Sequence, residues 1–489
     1  MKFLPHTSRG TAIALMVCVA TGLTACSAPG TGATQAALLK APALGLPEVR
    51  TAEVTDAWWQ SWNDPQLDAL MRQSLQDNPS LAVAQARVRR MQALAGVVDA
   101  ASLPQGTLGA DFSHQRYSAN GLFPKPIAGN VWDNDTLQLG VGWSPDLWGQ
   151  RAAELASALG QTRAAQADAA MASNALASQV AHGYVALARW LAQLAVAERT
   201  QQQRQQIQQL VAERREAGLD TRQDQAQSDS SLADAQAQVE GLKEQVALTR
   251  HQLAVLSGQA PHALDDLRPQ LSALRLENLP ASIGADLLGR RPDVVAALWR
   301  VEAAQQDVQQ ARTQFYPNIN LSAFVGFNAL GLNQLLDSGS RQYGVTPALR
   351  LPLFDGGRLR AQLSGRQAER DVAIAQYNSV VLEAVKETTD AISSSQSVDR
   401  QQAQQAQALA GAQSAHALAQ QRYQAGLGNR LAVLSAETAV LAQRRAAADL
   451  LARQLDTRVN LLRALGGGWR DDTSAPEART TASGASTGR

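Results

Sequence analysis

Leu23-Thr24-Ala25-Cys26 is the one segment of this sequence where residue type and spacing point to a covalent reaction. A cysteine placed after a Leu-x-small triplet has the form of the bacterial lipobox. There the thiol takes a diacylglycerol group, the chain is cut before the cysteine, and the new N-terminus is acylated. The residues upstream have the make-up of an export signal: Lys2 and Arg9 give a short basic region and Ala12–Ala20 a short apolar run. That run is too short to span a bilayer permanently. The expectation is a signal peptide over 1–25 and a diacylglycerol and N-acyl chain on Cys26. The alternative is an ordinary signal peptide that contains a cysteine. Several acyl chains hold a protein at a membrane far more firmly than one. Ser27 stands where an aspartate marks lipoproteins for the inner membrane, so the outer membrane is expected. Cys18, the other cysteine, falls in the removed segment and leaves no partner for a disulfide.

Other candidate chemistry does not assemble along the chain. The six histidines stand at 6, 114, 182, 251, 262 and 416, with no cysteine pair beside them at zinc-site spacing. Gly466-Gly467-Gly468 lacks the Lys-Ser/Thr of a phosphate loop. The acids are spread along helical faces, and no constellation meets the requirements of an active site. No catalytic residue, metal site or cofactor beyond the covalent lipid is therefore expected, and the chain is not read as an enzyme. A formal charge of +1 with no basic stripe gives no reason to expect nucleic acid.

The elements that would carry a function are written twice. Arg215-Glu216-Ala217-Gly218-Leu219 is echoed by Tyr423-Gln424-Ala425-Gly426-Leu427, and Ser144–Arg151 by Leu351–Arg358. The segment at Leu103-Pro104 is echoed by Tyr316-Pro317. The echoes keep their order at a separation of roughly 210 residues, which is a duplicated domain and not a solenoid. Each half reads as a helix, two strand-like segments and two long helices. The first helix is expected over Pro65–Val98 and its counterpart over Asp286–Gln314. Boundaries follow: 1–25 signal peptide, 26–64 lipidated equatorial segment, 65–275 first repeat, 276–468 second repeat. The Ser-, Thr- and Ala-rich 469–489 is expected to be a disordered tail.

Period two marks the strands. Leu108, Ala110 and Phe112 alternate with Thr107, Gly109, Asp111 and Ser113; Leu137, Leu139, Val141 and Trp143 alternate with Thr136, Gln138, Gly140 and Gly142. A third segment alternates over Ile319–Asn328, and a fourth, Tyr343–Leu351, does so less cleanly. Strands of about ten residues can cross an outer membrane when tilted. Four cannot close a barrel, since about eight are needed. Strands that enter lipid would thus require several chains to share one barrel. The alternative is a soluble hairpin with one face on a core.

Trp148–Ala217 and Arg358–Ala425 contain no proline, and at 1.5 Å per residue about 68 residues reach on the order of 100 Å. Glycine turns at Gly218 and Gly426 send returning helices to Ser257 and Leu465. Their Ala- and Gln-rich faces suit a wall around a lumen better than a solid coiled-coil rod. Gly149, Gly356 and Gly357 mark the strand-to-helix turns.

Motifs in this order resemble the TolC/OprM class of outer-membrane efflux proteins, in its lipoprotein branch. They are Trp58-Trp59-x-x-Trp62-x-Asp64-Pro65-x-Leu67, Leu288-Gly289-Arg290-Arg291-Pro292-Asp293-Val294, Phe315-Tyr316-Pro317, Leu353-Phe354-Asp355-Gly356-Gly357, Arg422-Tyr423-x-x-Gly426-Leu427 and Leu465-Gly466-Gly467-Gly468-Trp469. The resemblance implies a mainly α protein with a membrane β part. A long α-helical barrel would stand beneath four strands that are one share of a homotrimer's twelve-stranded β-barrel. It also implies a passive exit duct for drugs or other small toxic molecules, with a periplasmic adaptor and an inner-membrane pump of the resistance-nodulation-division type as partners. Type I protein secretion and a non-conducting envelope lipoprotein are the alternatives. Relatives often place aspartates at the second-half tip, where this chain has Ala432 and Ser435 beside Leu431 and Leu434. Asp220 and Asp224 at the first-half tip could supply the ring instead. A periplasmic gate with a larger apolar contribution from Leu431 is expected; packing between neighbouring helices is the competing role.

Overall fold

A computed structural model describes residues 36–39, 44, 54–274 and 287–470. The signal peptide, Cys26 and the tail beyond 470 lie outside the described residues. The first half runs α1 (Pro65–Asp77), α2 (Pro79–Ala100), β1 (Gln105–Arg116), β2 (Val131–Trp143), α3 (Gln150–Glu216) and α4 (Arg222–Leu256). The second runs α5 (Leu287–Arg290), α6 (Pro292–Thr313), β3 (Asn318–Ala329), β4 (Arg341–Arg350), α7 (Arg358–Gln424) and α8 (Arg430–Ala464). The duplication is nearly metric: α3 and α7 have 67 residues each, α4 and α8 have 35, α2 and α6 have 22, and β1 and β3 have 12.

Two expected helices are each broken in two. Pro65–Val98 divides at Asn78, and Asp286–Gln314 divides at Arg291. Both residues precede a proline, whose ring crowds the residue before it out of the α region. Asn78 (φ −69, ψ 122) and Arg291 (φ −92, ψ 121) are accordingly extended. Asn78 turns the break into a start: its side chain accepts from Ser80 N at 2.8 Å and caps α2. The fourth strand begins two residues earlier than its alternation suggests, at Arg341. Pro347 interrupts the pattern there, which an edge strand tolerates because one side of its backbone has no ladder to lose.

The strands form one antiparallel meander, β1-β2-β3-β4, with β2 and β3 joining the halves. The long helices pack in the order α4, α3, α8, α7, while α6 lies across α3 and α7. At a rise of 1.5 Å per residue, α3 and α7 extend on the order of 100 Å. Small residues let these helices close in: a Cβ at Gly160 would stand 3.2 Å from the Ala303 Cβ. The main core gathers at mid-height. Trp58, Trp59 and Trp62 pack with Leu67 and Met71 against Val180, Tyr184, Leu187, Leu253 and Leu455. Asp64 caps α1 through Gln66 N at 2.9 Å and accepts from the buried Tyr184 hydroxyl at 2.6 Å. Burial first, and then the bond to Asp64, raises the Tyr184 pKa far above its ordinary value, so the hydroxyl stays a donor.

Candidate conduit: sheet, helical wall and tip

The pairing register sorts the sheet into two chemically distinct faces. Leu108, Leu139 and Val325 stand directly opposite one another in successive strands, as do Val141, Ala323 and Val345, and Val325 faces Tyr343. Residues directly opposite share a face. This face is apolar and open: Leu108 is 73% exposed and Tyr343 83%. Exposing contiguous apolar surface on this scale to water is unfavourable, and it marks contact with lipid or another protein. No described helix is long and apolar enough to cross a membrane, so within this chain it is the sheet that has a face suited to lipid.

The opposite face is polar and hydrogen-bonded to itself. Asn328 donates to Thr136 Oγ1 at 2.8 Å and to Asn134 Oδ1 at 3.0 Å, and Gln342 donates to Gln138 Oε1 at 3.3 Å. Phe324 and Trp132 are the aromatic side chains on this face, and Gly344 opposite Phe324 makes room for its ring. A Cβ at Gly344 would come within 2.8 Å of the ring. Alternation of apolar and polar residues across a pleat is the pattern of a strand between lipid and an aqueous lumen.

β1 and β4 leave two unpaired edges, and α4 and α7 end the helical row on the same logic. A row of free N–H and C=O groups invites another chain. In hydrocarbon those groups must be satisfied within protein. Below the sheet, the connections into the helices are fixed by aspartates. Asp146 accepts from Ala152 N at 2.8 Å, and Asp355 accepts from Leu359 N at 2.8 Å and Gly357 N at 3.0 Å. The bond from Leu359 N is the main reason Asp355 is held below the usual carboxylate range. Gly149, Gly356 and Gly357 all take positive φ at these corners. Trp148 stacks on Tyr316 at 5.1 Å and donates to Pro317 O at 2.7 Å, tying the first-half corner to the start of β3.

Polar pairs add to the apolar packing that holds the helical wall together. His182 meets Asp456 at 2.7 Å, Arg199 meets Glu437 at 2.7 Å, and Gln203 donates to Leu434 O at 2.6 Å, all between α3 and α8. Gln405 bonds Gln443 between α7 and α8. Such directional contacts help fix the register of these Ala- and Gln-rich helices.

At the tip the two halves use one device. Gly218 (φ +72) and Gly426 (φ +73) are left-handed, and the next residues close the same loop: Leu219 N donates to Arg214 O and Leu427 N to Arg422 O, each at 2.8 Å. That is the Schellman close of an α-helix. The acids at the first-half tip are occupied. Asp220 takes a two-pronged bond from Arg214, 2.9 Å to each oxygen, and Asp224 forms a capping box with Thr221. The hydrogen bond from the Thr221 side chain is the largest reason Asp224 lies below the ordinary carboxylate range. At the second-half tip Ala432 and Ser435 are exposed and Leu431 is half-buried. Leu434 is buried, at 4% exposure, so it packs within the protomer and does not belong to its outer surface.

The residues that hold the middle together carry weaker sequence signals. Arg291 is buried and donates to Asp293, to Glu387 Oε2 at 2.9 Å and to Ala464 O at 3.2 Å. It binds the entry of α6 to α7 and to the end of α8. Its place before a proline in Arg290-Arg291-Pro292-Asp293 is the only local cue. Gly466, Gly467 and Gly468 all have positive φ and meet Arg290, Asn174 and Thr55 respectively. Among the scattered histidines, His251 and His262 are brought within 5.2 Å, ring centre to ring centre.

Known proteins share this arrangement. A family model described as outer membrane efflux protein matches residues 70–259 and 284–467, one match to each half. The fusaric acid resistance protein FusA of Burkholderia cepacia is 36% identical over 371 residues, covering 74% of this chain and 70% of FusA. The multidrug resistance outer membrane protein MdtP of Escherichia coli is 32% identical over 422 residues, covering 84% of this chain and 86% of MdtP. Among solved structures, the outer membrane protein VceC of Vibrio cholerae superposes with a TM-score of 0.78 at 34% identity, over 84% of this chain and 99% of VceC.

Proposed function

The chain belongs to the outer membrane efflux protein family, and from that premise we propose that it is a passive exit duct for drugs or other small toxic molecules. The observation that carries this is the sheet with one apolar face, one polar face and two unpaired edges. One copy cannot close such a sheet. Copies that pair β4 of one with β1 of the next, and α7 of one with α4 of the next, extend both the sheet and the helical wall in the same ring. Resemblance to the TolC/OprM class makes the ring a homotrimer, with twelve strands over twelve helices. The polar sheet face and the Gln-rich helices would then line a continuous aqueous path. Energy would come from an inner-membrane pump of the resistance-nodulation-division type, reached through a periplasmic adaptor. Cys26 would carry the acyl chains that hold the N-terminal end at the outer membrane. The relatives named for multidrug and fusaric acid resistance support drugs or other small toxic molecules as cargo.

Deletion of the gene tests the role. Susceptibility to such compounds should rise and their intracellular accumulation increase, with both restored by a plasmid copy. Unchanged susceptibility across a broad panel, in a strain lacking parallel channels, would remove the efflux role.

The tip is proposed as the gate, and its apolar contribution as Leu431. With Asp220 engaged by Arg214 and Asp224 committed to the α4 cap, neither acid is free to form a cation-binding ring in this conformation. Leu431→Ser should raise open probability in single-channel recordings. An open probability equal to wild type would assign Leu431 to helix packing alone.

A further inference from the structure

We propose that His251, His262 and Asp265 form a binding site for a divalent ion of the zinc class at the mid-height of the molecule. His251 lies in the last turns of α4, whereas His262 and Asp265 belong to the segment that follows it. The fold brings all three together, with one potential ligand atom from each inside a span of 4.8 Å. The imidazole rings stand edge-to-face at 85° with centres 5.2 Å apart, close enough for one nitrogen of each to fall inside that span. His262 Nδ1 and Asp265 Oδ2 are 3.3 Å apart. Zinc bonds of 2.0–2.1 Å in a tetrahedron place ligand atoms about 3.3 Å from one another. That pair thus already spans one edge of the coordination figure.

The remaining adjustment falls on the side chains able to make it. His262 and Asp265 are 77% and 57% exposed and can rotate without repacking, while His251 is half-buried on a helix and supplies the fixed point. The backbone beneath them is held. Gly258 N bonds Val255 O at 3.1 Å, and Arg250 donates to Leu267 O at 2.9 Å, closing the segment against α4 at both ends. Two imidazole nitrogens and one carboxylate oxygen suit zinc, with water in the fourth position; nickel and copper would compete for the same donors. A bound ion would staple the segment after α4 to the helix, beside the packed core. The site would be structural and independent of what the duct carries.

The test is zinc titration of the full-length, tag-free protein in detergent, with cobalt absorption reporting coordination geometry. Wild type should take up one zinc per chain saturably, and cobalt should give the intense visible bands of a four-coordinate site. His251→Ala and His262→Ala should each weaken binding by at least roughly tenfold. Zinc should raise the unfolding temperature of wild type and not of the variants. Asp265→Asn, a substitution on an exposed side chain, carries the same expectation and guards against a variant that fails to fold. No saturable uptake by wild type, or unchanged affinity in all three variants, would overturn the site.

Discussion

Gly468→Ala is expected to cost about 3–4 kcal/mol, combining the penalty of a left-handed alanine with backbone overpacking. Gly468 has φ +84, and a Cβ there would stand 2.3 Å from the Thr55 carbonyl and 2.4 Å from Asp56 N. Those atoms are backbone and cannot swing aside. The same turn presses Gly466 against the Arg290 carbonyl at 2.2 Å, as measured from an added Cβ. Three glycines in succession let the end of α8, the chain before the tryptophan cluster and the start of the second half meet at one point. In cells the variant should be depleted from the outer membrane, and purified material should unfold at a clearly lower temperature. Gly96→Ala is the matched control: a helical glycine with nothing within 4 Å of the added carbon should gain about 0.5–1 kcal/mol. Equal stability of Gly468→Ala and wild type would mean that the N-terminal segment does not dock there.

Arg291→Met should cost about 3 kcal/mol, near the lower end of what breaking a buried ion pair costs. Asp293 and Glu387 each keep 26% side-chain exposure, so solvent recovers part of the loss. Burial alone would lower the Arg291 pKa, but the bonds to Asp293 and then Glu387 outweigh it and hold it above its ordinary value. Removing the guanidinium therefore leaves two carboxylates facing each other and the Ala464 carbonyl without this donor. Arg291→Lys should recover only part of the loss, because one ammonium cannot reproduce the fork that reaches Asp293 and Glu387 together. Thermal unfolding and protease resistance at the α6–α7 junction would report it. A Met variant as stable as wild type would show that Arg463, which also reaches Glu387 at 3.5 Å, carries the junction.

Much of the architecture was legible because its signals are periodic and repeated. Long proline-free stretches rich in Ala and Gln, with apolar residues at helical spacing, read as long helices, and alternation at Leu108–Phe112 or Leu137–Trp143 fixes a face before any pairing is known. The turn glycines at Gly218 and Gly426 were legible from their echo alone. Other features depend on partners distant in sequence. Asn78 and Arg291 divide two expected helices, a break that the following prolines signalled but the surrounding periodicity obscured. Asp220 and Asp224 look alike as free tip acids in the sequence. One is tied to Arg214 six residues earlier, which no spacing rule singles out; the other caps its own helix, and the Thr221-x-x-Asp224 spacing of a capping box was its sequence signal. Gly466-Gly467-Gly468 shows what it lacks for binding phosphate, but its role comes from Thr55, Asn174 and Arg290, three regions far along the chain. His251 and His262 meet for the same reason: the segment after α4 doubles back onto it.

Single-channel conductance of the purified full-length chain in planar lipid bilayers tests most directly whether this protein is a duct. Discrete, uniform current steps are predicted from wild type, and they should come only from protein that migrates as a closed oligomer. Bilayers that stay silent with correctly assembled wild type and with Leu431→Ser alike would contradict the channel, leaving the helical wall and its sheet as a structural element of the envelope.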